Sequence, residues 1–274
     1  MKTFFLGAHH PGWLEQTSVP LFVSRASFYK DGKLRKSFPR AKGPWICDSG
    51  GFSELKKHGR WTVSTEQYVD DVRAFVSDVG KLQAAAAMDW MCESDQLART
   101  GLKVKDHQRL TVDNYLELVD LDPELPWFPV LQGWSLGEYL DHVDLYTKAG
   151  VKLEKLPLVG LGSVCTRQDT VRVGFLIQDL ASQGIRLHAF GFRVGGLMFK
   201  PVRDALTSAD SMTWSKQARY ARGPMCSSPG PDHPQKCTNC LQWALEWRSE
   251  LLERIAEDDS EYRAAAAAAR RAKR

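Results

Sequence analysis

Three aspartates end three separate apolar runs: Asp48 in Trp45-Ile-Cys-Asp-Ser-Gly-Gly-Phe52, Asp89 in Ala84-Ala-Ala-Ala-Met-Asp-Trp90, and Asp210 in Ser208-Ala-Asp-Ser211. A buried strand that stops on a carboxylate delivers it to one rim of a barrel or doubly wound sheet. Three of them, at separate places in the chain, predict one convergent acidic site. A second constellation lies near the end of the chain. Cys237-Thr-Asn-Cys240 is a tight CxxC pair, Cys226 precedes it in a loop, and no histidine follows Cys240. His233 completes a Cys3His set, which suits structural zinc. Cys47, Cys92 and Cys165 are scattered near strand ends and read as buried inert thiols.

The elements that must position these residues are legible as periodicity. Eight apolar runs read as strands: Phe4–Gly7, Pro20–Ser24, Trp45–Asp48, Gln83–Trp90, Phe128–Gln132, Leu158–Gly162, Leu187–Gly191 and Leu206–Asp210. Short continuous runs suit strands buried on both faces of a parallel sheet. Helical patterns lie between the later ones. Ser64-Thr-Glu-Gln67 reads as a capping box, with Gly80 as the stop. Ser135-Leu-Gly-Glu138 opens a second helix that ends at Gly150, and Thr166-Arg-Gln-Asp169 a third that ends at Gly184. The alternation predicts an α/β fold, a (β/α)8 TIM barrel over residues 1–222, with a doubly wound open sheet as the competitor. Residues 223–262 read as a zinc-binding loop and a helix packed on the barrel. Residues 263–274 read as a basic, Ala-rich, frayed tail.

The net charge of +4 comes from that tail. It holds five of the 37 basic side chains and no acidic one, leaving 32 basic against 33 acidic in the body. Nucleic-acid affinity must therefore come from local patches. Lys30, Lys33, Arg35, Lys36, Arg40 and Lys42 form one candidate stretch; Arg193, Lys200, Arg203, Arg219 and Arg222 form another. No apolar run reaches the roughly 20 residues that span a bilayer. The start, Met1 to Ala8, is too short in its apolar part for a signal peptide and reads as a first strand, so a cytoplasmic protein is expected.

In combination these residues resemble the tRNA-guanine transglycosylase superfamily. Asp-Ser-Gly-Gly-Phe at 48–52 is similar to its signature loop. Met88-Asp89, Gln132-Gly133 and Gly160-Leu-Gly162 follow the order of its base-binding strands, and Asp210-Ser211 with Ala218-Arg-Tyr-Ala-Arg222 resembles its nucleophile segment. Leu6-Gly-Ala-His-His-Pro11, Asp89-Trp-Met-Cys-Glu93, Gly160-Leu-Gly-Ser-Val-Cys165 and Ser208-Ala-Asp-Ser-Met212 look closer to the DpdA branch, which puts 7-deazaguanines into DNA. The chain departs from the tRNA enzymes in lacking an evident basic loop after the nucleophile, and the cysteine order differs from the family's usual Cys-x-Cys-x2-Cys with a later histidine.

The resemblance implies exchange of a base at C1′ through a covalent glycosyl-enzyme, with Asp210 as nucleophile and Asp48 as the acid–base partner. A guanine-like base needs an acceptor for N1–H and its amine, a role that fits Asp89, and donors for O6, which Gln132 and the backbone amides around Gly162 can supply. Gly133 and Ser49 lie in the same segments. His9 and His10 follow the first strand and can face the same rim, one in contact with substrate and one in a structural role. Phe52 and Met198 are candidates to stack on the base. The expected partners are DNA and a 7-deazaguanine base, with Zn2+ as the only cofactor and a homodimer as a possible assembly. The alternatives are the same chemistry on tRNA, hydrolytic base excision, and a binder that kept the barrel without catalysis.

Overall fold

The computed structural model describes residues 1–165, 171–231 and 233–272. Nine parallel strands form one sheet: β1 (Thr3–Ala8), β2 (Leu21–Ser24), β3 (Trp45–Asp48), β4 (Leu82–Ala86), β5 (Trp127–Phe128), β6 (Val130–Leu131), β7 (Val159–Leu161), β8 (Leu187–Ala189) and β9 (Leu206–Ser211). Their order is β5-β4-β3-β2-β1-β9-β8-β7-β6. The two end strands are consecutive in the chain, with only Pro129 between them. Proline has no N–H for a ladder, so the segment breaks there. Its first half pairs with β4 and its second with β7. The sheet is therefore a barrel with eight staves, and the open-sheet alternative, which needs two free edges, does not apply. All eight sequence-predicted strands are staves.

The helices are α1 (Trp13–Gln16), α2 (Gly51–His58), α3 (Thr65–Ala74), α4 (Ser94–Thr100), α5 (Val104–Leu121), α6 (Leu136–Lys148), α7 (Val171–Ser182), α8 (Val194–Leu197), α9 (Lys200–Ala205), α10 (Thr213–Tyr220) and α11 (Leu241–Ala272). The predicted caps are seen where the hydroxyls suggested. Ser64 accepts the Gln67 amide at the start of α3, but the Gln67 side chain donates to Tyr29 and Asp71 instead of reaching back to complete the box, whereas Ser135 with Glu138 closes a reciprocal box on α6. The helix start expected at Thr166–Asp169 lies outside the described residues, although α7 itself is present and Gly184 follows it with φ +84°.

Two expectations need correction. The helical pattern of the last helix begins in the sequence at Cys237, but the helix starts at Leu241, because Cys237–Cys240 is held in a turn. It also runs without interruption into the Ala-rich segment as far as Ala272, in keeping with alanine's helix preference.

Strand alternation decides what faces the barrel and what faces the helices. On β1, Phe5 points inward, where its ring lies 5.9 Å from His188. Its neighbour Phe4 points outward, 6.1 Å from Trp247 of α11. Helix α11 is tied to β1 by Arg248, which donates to the Phe4 carbonyl, and to α9 by Arg203, whose buried guanidinium meets Asp258 and Asp259. No helix among the described residues is long and apolar enough to cross a membrane.

Candidate active site

A cavity of about 500 Å³ opens at the ends where the strands finish, the face on which a barrel of this kind carries its variable loops. Ala8 from β1 and His9 after it, Ser24 from β2, Asp48 from β3, Asp89 after β4, Gln132 after β6, Gly162 after β7, Phe190 after β8 and Asp210 from β9 all line it. The three aspartates, 41 and 121 residues apart along the chain, thus meet in one space. The β1–β9 register sets Asp210 opposite Phe5, one residue short of the rim.

Each carboxyl has its own surroundings. Asp210 is buried; its Oδ1 accepts the Gly191 amide at 2.8 Å and lies 3.4 Å from His188 Nε2. His188 is fully buried among Phe5, Phe22 and Phe190, and its Nδ1 is 2.8 Å from Ser208 Oγ. Asp48 is half-buried, and its Oδ2 accepts the Gly50 amide at 3.2 Å. Desolvation pushes its carboxyl up to about 6; the Ser24 hydroxyl opposes this, and the negative charge of Asp210 adds to it. Asp89 is buried and rises further, to about 7, first by desolvation and then by the charge on Asp48, against the hydrogen bonds from Gln132 and Ser49. The site therefore contains carboxyls that lose their protons at different pH, a condition for dividing acid–base from electrostatic roles.

Gln132 is held from several sides. Its Nε2 donates to Asp89, its backbone amide donates to His142 Nδ1 at 2.8 Å, and its carbonyl accepts from Gln108 at 2.8 Å. Burial holds His142 down at about 4, so it remains a neutral acceptor. Gly162 makes room for this side chain: a Cβ there would stand 2.2 Å from Gln132 Nε2. We expect Gly162→Ala to displace Gln132 and weaken binding of any base in the cavity by roughly tenfold or more, read by calorimetry, with the barrel still folded.

Not every sequence candidate faces the cavity. Ser49 stands behind Asp89, donating to its Oδ1 at 3.3 Å. Gly133 packs against Tyr139 and does not line the space. His10 accepts the Gly12 amide at 3.0 Å, a local turn, whereas His9 lines the cavity and pairs with Ser215 Oγ at 2.9 Å. The amide of Gly162 is not free to bind a base, because it donates to the Leu131 carbonyl of β6. Met198 lies outside the cavity; Phe22 and Phe190 are the aromatic rings inside it, and Phe52 is exposed at its mouth. Arg203 and Lys200 are likewise corrected: both are held by acidic partners, and the Arg203 side chain is itself buried.

Sequence reasoning assigned no role to Glu93, Ser163, His142 or His188. Glu93 had the same signal as the aspartates, a carboxylate closing an apolar pair, Met91-Cys92. His188 in an apolar strand carried no such signal, since a core histidine looks the same.

Cys226, His233, Cys237 and Cys240 converge, with their ligand atoms all within 4.8 Å of one another. His233 Nε2 stands 3.4, 3.7 and 3.3 Å from the sulfurs of Cys226, Cys237 and Cys240. A tetrahedral zinc with three sulfurs and one nitrogen sets such separations at about 3.5 Å. The other ring nitrogen, Nδ1, sits 2.6 Å from the Pro234 carbonyl, which suits Nε2 as the ligand atom. The four residues can hold a metal ion. The loop they form reaches the cavity rim: Ser215 Oγ donates to the Thr238 carbonyl at 2.7 Å and contacts His9.

A search of curated proteins returned no match to this chain. The family model for DpdA, DeoxyPurine in DNA protein A, matches residues 1–272 and so takes in every stave, the three convergent aspartates and the Cys/His cluster. The chain belongs to the DpdA family.

Proposed function

We propose that this protein exchanges guanine in DNA for a 7-deazaguanine, such as 7-cyano-7-deazaguanine, through a covalent glycosyl-enzyme on Asp210. The observation that carries the reading is the meeting of Asp48, Asp89 and Asp210 in one cavity, each in a different environment, in a member of the DpdA family. In the first half-reaction an Asp210 oxygen forms a bond to C1′ as the C1′–N9 bond breaks. The departing guanine takes a proton at N9 from Asp48. In the second, N9–H of the incoming base returns its proton to Asp48, N9 attacks C1′, and Asp210 leaves as a carboxylate. A carboxyl raised to about 6 can both give and take a proton near neutrality.

Asp89 accepts N1–H and the exocyclic amine, and the second Nε2 hydrogen of Gln132 serves O6. Phe22 and Phe190 flank the flat ring. A nucleotide inside a duplex must be extruded, or presented single-stranded, to reach this space. Lys30 and Lys33 lie in the loop that leaves β2 at the same end and are exposed, which suits contact with phosphates.

Zinc is the metal we assign to the Cys3His cluster, in a structural role that pins α11 and the Ser215–His9 contact. The isolated protein should then carry about one equivalent of zinc by elemental mass spectrometry. Cys237→Ser should lose it and lower the melting temperature by several degrees. Protein that holds no metal and melts identically with or without chelator overturns the assignment.

The test of function is incubation with guanine-containing DNA, or tRNA, and 7-cyano-7-deazaguanine, followed by mass spectrometry of the digested nucleosides. The deazaguanine deoxynucleoside is expected. The ribonucleoside from tRNA alone would move the chemistry to tRNA, and abasic sites without insertion would make it a hydrolase.

A further inference from the structure

One buried carboxyl in the cavity has no part in the scheme above. Glu93 is buried, and its Oε2 lies 2.8 Å from Ser163 Oγ. The same Ser163 oxygen lies 2.6 Å from Gln132 Oε1 and accepts the Cys92 amide at 2.8 Å. Gln132 Nε2 in turn donates to Asp89. A hydroxyl has one proton to give and two lone pairs to fill. Ser163 therefore cannot donate to both Gln132 and Glu93. When it donates to Gln132, Glu93 must supply the other hydrogen as a carboxylic acid. The other arrangement flips the Gln132 amide. Nε2 then donates to Ser163, Ser163 donates to an ionised Glu93, and Asp89 must carry the proton. Either way the hydrogen bonds of the chain Glu93–Ser163–Gln132–Asp89 need at least one proton on its two carboxyls. Only the first arrangement leaves Asp89 an acceptor and aims a Gln132 hydrogen into the cavity.

On a guanine-like ring O6 lies between N1 and the substituent at position 7. With Asp89 on N1–H and Gln132 on O6, the wall beyond Gln132 faces position 7; Ser163 contacts Gln132 there, Glu93 contacts Ser163, Cys165 contacts Glu93, and all three line the cavity. We infer that Glu93 is a specificity-determining residue that, as a neutral acid, admits bases with an uncharged position-7 group such as a nitrile and rejects those with an ammonium there. This rests on the base-exchange reading.

An ammonium there would favour the ionised form of Glu93, whose proton would pass to solvent, and Ser163 would turn to the new carboxylate. Gln132 Oε1 would then lose its partner, or the amide would flip and Asp89 would no longer accept from the base. Burial raises the Glu93 carboxyl, as does the nearby charge of Asp95, while the Ser163 hydroxyl and Cys165 thiol act the other way. Ser163 also holds φ +51°, a conformation uncommon outside glycine and fixed here by its contacts with three partners.

The test is competition between 7-cyano- and 7-aminomethyl-7-deazaguanine for insertion, with calorimetric binding of both free bases as a second reading of the same ratio. The wild type should prefer the nitrile by roughly ten- to a hundredfold, the scale of an unpaired buried polar group. Glu93→Gln should keep that ratio, because its amide is permanently neutral and still donates to Ser163. Ser163→Gly suits the left-handed backbone, removes the link and should bring the ratio toward parity. Preference of the wild type for the aminomethyl base, loss of the ratio in Glu93→Gln, or an unchanged ratio in Ser163→Gly each overturns the inference. Labelled guanine exchange that persists alongside such a result leaves the base-exchange reading intact. Absence of both exchange and base binding overturns the two together.

Discussion

Asp210→Asn should lower guanine exchange by about 10⁴-fold or more while the barrel stays folded. The substitution keeps the shape and an acceptor oxygen for the Gly191 amide, whose hydrogen bond fixes the side chain. What it removes is the anionic oxygen that the proposed mechanism bonds to C1′. The neighbours of Asp210 suit a nucleophile held ready: one oxygen is engaged by a backbone amide, and His188 lies beneath it without another partner for Nε2 among the described residues. Wild-type enzyme incubated with DNA and quenched in denaturant should carry a DNA adduct on a gel, and Asp210→Asn should carry none. Circular dichroism and a melting curve separate loss of chemistry from loss of fold. Exchange above one-hundredth of wild type in Asp210→Asn would place the nucleophile elsewhere.

The second large effect runs in the opposite direction for stability. Asp89→Asn should make the protein more stable at pH 8 while it abolishes base binding. An aspartate in an unfolded chain titrates near 3.9, whereas burial raises Asp89 to about 7 and Asp48 to about 6. Between pH 4 and 7 the folded protein holds protons that the unfolded chain has already released. Folded stability therefore falls as pH rises through that window, and above pH 7 the full penalty of two buried anions is present. For Asp89 the upper limit is about 4 kcal/mol, reduced by whatever water the open cavity admits. Asparagine carries no charge and still accepts from Gln132, so it escapes the penalty. Urea melts at pH 5 and pH 8 read this directly: the variant's advantage should be small at pH 5 and grow to about 1–3 kcal/mol at pH 8. A variant less stable than wild type at pH 8 would show that the Asp89 charge is compensated within the site. The cost belongs to function, since an ionised acceptor is what a base with two adjacent donors requires.

The staves, the rim aspartates and the Cys/His cluster were legible because each leaves a local trace. A strand buried on both faces must be apolar for four to eight residues, and a polar side chain at its end marks where it meets solvent. Three cysteines and a histidine within fifteen residues admit few arrangements other than a metal site. The caps at Ser64 and Ser135 were legible for the same reason, since the hydroxyl and its target amide are three residues apart.

The division of labour inside the cavity had no local trace. That Gly162 spends its amide on Leu131, that Phe190 rather than Met198 enters the pocket, and that Arg203 is buried against Asp258 and Asp259 all depend on partners distant in the chain. The same holds for the chain from Glu93 through Ser163 and Gln132 to Asp89, whose direct contacts span between 31 and 70 residues. Sequence by itself determined the parallel strands, the end of the sheet that gathers the carboxylates, and the residue types available there, because periodicity and strand termini are short-range properties; closure into a barrel was decided by the pairing of β5 and β6. Only the tertiary structure decided which carboxyl is desolvated and which donor is already engaged, because desolvation and hydrogen-bond pairing are properties of residues brought together by closure of the barrel.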